Sequence, residues 1–180
     1  LHLSLRRQRQ MCIRDRDERR SMNAEVLLQN SVQAFLMHEA DLLDRGLFGE
    51  WVDLFDENGV YWVPSSPSQE DMRGQVSIIL EDKELLKLRA VRLAHPNAHA
   101  SIPRPSTVHL VANISVTLEG EDVIARSNLI MTIFRNDKEN QLSGRVTHKL
   151  RRVLNGFRIQ LKREDMIQAG GTFSAITVPL

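Results

Sequence analysis

The chain has 180 residues, 42% of them apolar and 26% charged, which is ordinary globular composition and the length of one domain. Its formal charge of +1 misleads: residues 1–21 hold seven arginines against Asp15, Asp17 and Glu18, and the remaining 17 basic and 20 acidic residues give the body −3, which argues against nucleic acid as its main partner. No apolar run approaches the roughly 18 residues of a membrane span, and the sole cysteine, Cys12, sits in the same leader, so the body has no disulfide framework, thiolate metal site or cysteine nucleophile.

The leader, LHLSLRRQRQMCIRDRDERRS, lacks the apolar stretch of a secretory signal, and its three acidic residues count against a mitochondrial presequence. The string resembles translated linker sequence. Residues 1–21 are therefore expected to be a non-native or disordered leader, with Met22 as the natural start and 22–180 as one domain. A cytoplasmic location suits the cysteine-free body.

Asn23 is a candidate N-cap, with Glu25 in the first turn, and an amphipathic helix runs from there to about Arg45. Leu28, Val32, Phe35, Leu36, Glu39 and Leu43 share one face of it, and Gly46 ends it. A shorter helix over Leu47 to Phe55 presents Leu47, Trp51, Leu54 and Phe55. Asn58-Gly59 reads as a turn, Val60 to Val63 as a strand stopped by Pro64 and Pro67, and Gln75 to Leu80 as another short strand. Asp82 to Leu93 has helical spacing, and His95 to Pro105, with three prolines, is a loop.

The second half is all strand. From Thr107 to Leu118, Val108, Leu110, Ala112, Ile114, Val116 and Leu118 face one way, and Thr107, His109, Asn113, Ser115 and Thr117 the other. Strands follow over Val123 to Phe134, Ser143 to Leu154 and Phe157 to Ile167, with turns at Glu119-Gly120 and Asn155-Gly156 that force antiparallel pairing. Helices first and a long antiparallel meander after them give an α+β domain: strands this long curl, and a curled sheet wrapped on a long amphipathic helix is cone-shaped.

Glu39 to Pro64, EADLLDRGLFGEWVDLFDENGVYWVP, resembles the β (small) subunits of aromatic-ring-hydroxylating dioxygenases. The family's positions are met by Glu39, Leu42-Leu43-Asp44, Phe48, Glu50-Trp51, Leu54-Phe55 and Tyr61-Trp62-Val63-Pro64, without a gap. Further matches follow in order: Pro105, Ser106, His109 and Asn113; Ser127 and Asn128; and the Gly-Arg, Leu-Arg and Gly-hydrophobic stretches of GRVTHKLRRVLNGFRIQLKREDM. Phe48 departs from a common Tyr, and Met166-Ile167 from other apolar pairs. The resemblance implies the cone fold shared with ketosteroid isomerase and scytalone dehydratase. It implies a hetero-oligomer in which a partner α subunit carries the Rieske iron–sulfur cluster and the mononuclear iron, with no cofactor in this chain. It also implies self-association as a trimer within the complex, and NADH reaching it through separate electron-transfer proteins.

The residues agree on the metals. A Rieske centre needs two Cys and two His, and a facial triad needs two His and a carboxylate on a preformed scaffold. The closest pair, His95 and His99, lies in a segment broken by Pro96 and Pro103. Three other constellations stay open. A stand-alone isomerase or dehydratase of the same fold would use a carboxylate or histidine base and a tyrosine donor, from Asp41 or Asp44, Tyr61, His109 and His148. Against that, His109 and Asn113 serve equally as satisfied polar contacts or as groups facing a partner. Subunit contact is the second, with Arg145, Arg151 and Arg152 of the basic last hairpin as candidates beside His109. Tyr61 and Trp62 are the third: adjacent in a strand, they point to opposite faces, so one of them is expected outward or at an interface. An assembly or ligand-binding module without catalysis fits the same pattern.

Overall fold

A computed structural model describes residues 2–95, 103–171, 176 and 178–180, with side chains from Met22 onward. Three helices, α1 (His2–Arg45), α2 (Phe48–Asp53) and α3 (Lys83–Ala94), accompany six strands. The strands are β1 (Phe55–Val63), β2 (Ile79–Asp82), β3 (Ser106–Glu119), β4 (Asp122–Arg135), β5 (Lys138–Val153) and β6 (Gly156–Met166). They form one curved sheet in the order β2-β1-β6-β5-β4-β3, and α1 lies against its inner face, packing on β3 and β6.

α1 corrects the expected cap: its backbone is helical from His2, so Asn23 is an exposed residue inside the helix. The expected inward face is the one that packs. Val32, Leu36 and Leu43 are buried, and Phe35 meets the Phe157 ring edge-on at 5.7 Å. The far end closes as expected at Gly46, which has φ +62°. Gly46 N donates to Leu43 O at 2.9 Å and Leu47 N to Leu42 O at 2.8 Å, the paired bonds of a Schellman stop.

Asn58-Gly59 is not a turn. It lies inside β1, where the pairing with β6 slips between Phe55 and Val60, and Gly59 stands so close to Ile159 O that a Cβ would meet it at 2.6 Å. β1 pairs with β6 in parallel, which turn chemistry does not forecast because the two strands are far apart in the chain. Asp82, expected to start the third helix, caps it instead, its side chain accepting from Leu85 N at 2.9 Å. Asn136 and Asp137, both at positive φ (52° and 58°), turn β4 into β5, which therefore begins earlier than Ser143.

The most instructive correction is in β3. Val108 and Leu110 are 64% and 57% exposed, while His109 is buried and Val111 packs on the core. Past Ala112 the register shifts by one residue, at Asn113 with φ 53°. Ile114 and Val116 then face inward, as expected. One bulged residue moves every later side chain to the other face, so a single alternation cannot describe the strand.

Candidate functional site

The inner face of the sheet holds charge. Glu39, on the apolar face of α1, is buried at 3% exposure, and three groups from three elements converge on its carboxylate. Trp51 Nε1 of α2 donates to Oε1 at 3.1 Å, Lys162 Nζ of β6 stands 3.0 Å from Oε1, and His148 Nε2 of β5 lies 2.9 Å from Oε2. Burial alone would raise the Glu39 pKa; the Lys162 charge and the His148 and Trp51 contacts override it and hold the carboxyl well below the usual range. Lys162 sits over the Trp51 and Tyr61 rings, 5.8 and 5.6 Å from their centres.

One step along β6, Glu164 is buried as deeply. Burial, with repulsion from Glu39 and Asp165, outweighs the attraction of Lys162 and pushes its pKa up to about 7. It accepts a bond from Tyr61 Oη at 3.3 Å. Burial, then the Glu164 charge, raises the Tyr61 pKa well above 10. A second pair stands at the side. Asp44 accepts from His109 N (3.0 Å) and Thr107 Oγ1 (3.0 Å) and lies 2.6 Å from His109 Nδ1. Burial lowers the His109 pKa despite this partner, so the ring is biased toward its neutral form.

The residues singled out in the sequence divide accordingly. His109 and His148 line the central cavity together, with Glu39 and Lys162. Asp41 does not belong to it: it is exposed and bonded to Arg45 at 3.3 Å, because it falls on the outer side of α1, whereas Asp44 reaches the sheet. Tyr61 points inward, at 0% exposure, against Trp51. Trp62 does face the other side, as strand alternation demands, but it is 2% exposed because the chain covers it. The 64–78 segment folds back, Ser77 Oγ accepts from Trp62 Nε1 at 2.9 Å, buried Gln69 pins Ser77 at 3.1 Å, and Arg163 stacks 4.4 Å above the indole. Neither aromatic ring is free to meet a partner.

Arg145, Arg151 and Arg152 are exposed. Arg151 is already held by Asp56, through bonds of 2.7 and 2.9 Å, and Lys149 by Asp122 at 2.9 Å, so the chain's own acids neutralise part of the basic hairpin. His95 ends α3, while His99 lies outside the described residues. Among the described residues no three His, Cys, Asp or Glu side chains are grouped to hold a metal ion, and no helix is long and apolar enough to cross a membrane.

The inward placing of Lys162 and Glu164 escapes the sequence reading. In β6, Phe157 and Ile159 face inward, and strict alternation would continue through Leu161 and Arg163. The pairing with β5 slips at Lys149/Leu150, leaving Gln160 as the extra residue, and Lys162, Glu164 and Met166 take the inner face instead. The usable signal was Glu39, a carboxylate on an otherwise apolar helix face, which requires a buried cation.

The cavity among these groups is small. It is lined by Leu36, Leu43, Val111, Leu129 and Val146 besides the polar residues, and its free space of about 20 Å³ suits one water. Among the described residues, His109 Nε2, His148 Nδ1 and Ser127 Oγ, whose residues border it, have no side-chain hydrogen-bond partner.

The family model "Ring hydroxylating beta subunit" matches residues 38–169. The small oxygenase component of the p-cumate 2,3-dioxygenase system of Pseudomonas putida is 32% identical over 143 residues, 78% of this chain and 79% of that protein. The anthranilate 1,2-dioxygenase small subunit of Acinetobacter baylyi is 30% identical over 146 residues, 78% of this chain and 90% of that one. Among solved structures, the β subunit of benzoate 1,2-dioxygenase from Burkholderia mallei superposes with a TM-score of 0.66 over 82% of this chain and 95% of that one, at 23% identity, a likeness of fold. With a family match across most of its length and relatives of this extent, the chain belongs to the β subunits of ring-hydroxylating dioxygenases.

Proposed function

We propose that the chain is the non-catalytic subunit of a dioxygenase complex and supports cis-dihydroxylation of an aromatic substrate by a partner α subunit. The observation that carries this reading is the filled interior. A cone that acted on an aromatic ring would need a pocket of several hundred Å³, whereas this one has free space of about 20 Å³. Its charged groups are paired with one another: Glu39 with Lys162, His148 and Trp51, and His109 with Asp44. That pairing also speaks against a resident iron. The His109 and His148 nitrogens nearest a carboxylate are engaged, and the Lys162 ammonium occupies the middle of the cluster, where a cation would be repelled. The Rieske cluster and the mononuclear iron then belong to the α subunit, with NADH acting through separate electron carriers and the assembly residing in the cytoplasm.

The contact surface follows from the outer side of the sheet. Leu110 pairs with Ile130 and Ser106 with Phe134 across β3 and β4. Val108, Leu110, Ile130 and Phe134 form an outward apolar patch, rimmed by Asn128, Gln141 and Arg145. An apolar centre with a polar rim is the anatomy of an obligate interface. We assign it to the contacts of an α-bearing complex with three β copies, with Arg145 and Arg152 at the margin. The test is co-expression with an α subunit. The complex is expected to carry iron and convert an aromatic substrate to a cis-diol. The isolated β chain is expected to carry no stoichiometric iron by elemental analysis and to convert nothing. Stoichiometric iron in the isolated chain would overturn the reading.

A further inference from the structure

The 178–180 segment enters the cone without joining the sheet. Val178 and Leu180 are 5% and 1% exposed, and what holds their backbone is side chains. Leu180 N donates to Tyr61 Oη at 3.1 Å, and Lys162 Nζ donates to Leu180 O at 2.6 Å. The directions are fixed by the neighbours: Tyr61 gives its own proton to Glu164, which leaves its oxygen to accept the Leu180 N–H, and Lys162 has only protons to give. Two buried side chains thus meet the N–H and the C=O of one residue, as a receptor meets a peptide. The Leu180 side chain borders the central cavity beside Leu36, Leu43 and Val111. Beyond it stand His148 Nδ1 and Ser127 Oγ, buried at 3% and 5% exposure and without a partner among the described residues, on the same inner face of β5 and β4.

We propose that the floor of the cone is a binding site for a small apolar amide or an apolar peptide segment, which the chain's own residues 178–180 occupy as a resident ligand. Tyr61 and Lys162 read the amide unit, and the apolar wall reads the side chain. When the segment withdraws, Tyr61 Oη loses a donor and Lys162 Nζ an acceptor at buried positions, so a replacement has to supply the same donor and acceptor. The described residues 178–180 are held by side chains and pair with no strand, and such a segment opens more readily than the sheet around it. The site stands whether or not an α subunit binds the outer face.

The test uses the full chain with Leu180→Asp, which places a carboxylate against the apolar wall and expels the segment. The probe is N-acetyl-leucine methylamide, read by thermal shift and by tryptophan fluorescence through Trp51. In the native chain the segment competes at the high effective concentration of a tethered ligand, so the variant is expected to bind the probe about tenfold or more tighter than the native chain. Adding Tyr61→Phe, which removes the acceptor, is expected to weaken binding by about tenfold. If circular dichroism shows Leu180→Asp unfolded, Leu180→Ala takes its place under the same comparison. Equal binding by native and variant chains, or binding indifferent to Tyr61→Phe, would show that the segment is only a structural plug and overturn the proposal.

Discussion

The two faces of the long strands invert the usual arrangement. Inside, among apolar residues, lie Glu39, Lys162, Glu164, His109 and His148; outside, in solvent, lie Val108, Leu110, Ile130 and Phe134. The inner charges are matched by partners within this chain, whereas the outer hydrophobic residues are left uncovered by it. Burying a charge is costly unless it is paired, and exposing one isolated apolar residue is ordinary, but a patch of them is not. The inner charges thus find partners among the described residues and the outer patch does not, which is the contrast the proposed role of this chain rests on.

Breaking the inside carries the largest expected effect. Glu39→Ala leaves Lys162 buried beside an apolar gap, and removing one partner of a buried pair costs on the order of 3–5 kcal/mol. Urea unfolding of the isolated chain at neutral pH checks this. The companion Glu39→Leu/Lys162→Met removes both charges and is expected to be less destabilised than the sum of its single changes; strict additivity would show that the two groups are not coupled.

Acidity sharpens the same comparison. Glu164 has a folded pKa of about 7, raised from 4.5 by burial first. Its contribution is therefore fully present below pH 4.5 and is lost as pH rises toward 7, on the order of 3 kcal/mol for a shift of this size. Glu39, held low by Lys162 and His148 against its burial, acts oppositely: its contribution is present above pH 4.5 and is lost as pH falls below that. Glu164→Gln is expected to flatten the decline in urea midpoint between pH 5 and pH 7 while leaving the acid limb intact. A decline of unchanged slope in that variant would assign the loss to another group.

The outside is expected to behave in reverse. Leu110→Lys with Phe134→Lys changes exposed residues, so the isolated chain should lose less than about 1 kcal/mol, yet association with an α subunit should fail in analytical ultracentrifugation. An intact complex would place the interface elsewhere. Arg151→Glu with Arg152→Glu is expected to weaken assembly less than the apolar pair does, because Arg151 already spends its guanidinium on Asp56.

How much of this the sequence shows depends on one kind of event. α1, α3 and the four long strands are legible because their patterns are long and their stops are chemical: Gly46, and the turns at Gly120 and Asn155-Gly156. The bulges are not legible. One at Asn113 turns Leu110 outward while keeping Ile114 inside, and one at Gln160 brings Lys162 and Glu164 into the core. A bulge costs one residue and leaves little local mark, yet it reassigns everything after it. His109, His148 and Tyr61 stand out because their residue types carry chemistry; Lys162 does not, because strict alternation from Phe157 and Ile159 would turn it outward. Alternation puts Tyr61 and Trp62 on opposite faces without saying which is inward, and the cover of Trp62 by 64–78 is a tertiary fact that no local pattern contains.

The smallest expected effect is at residues 1–21. α1 continues helically through them, and its described packing on the body begins past Leu27. Met22 to Leu27 are all exposed, whereas the packed face begins with Leu28 and Val32, and Gln29 Nε2 ties the helix to Ile114 O at 2.8 Å. An isolated helix of about 20 residues is marginal in water, where tertiary contact rather than propensity supplies most helical stability. A chain beginning at Met22 is expected to keep the melting temperature of the full chain, with the loss confined to helical signal in circular dichroism. A fall of several degrees, equivalent to a kcal/mol or more at this size, would mean that the leader docks on the sheet, and the exposed patch of Val108, Leu110 and Phe134 would then have an occupant within the chain itself.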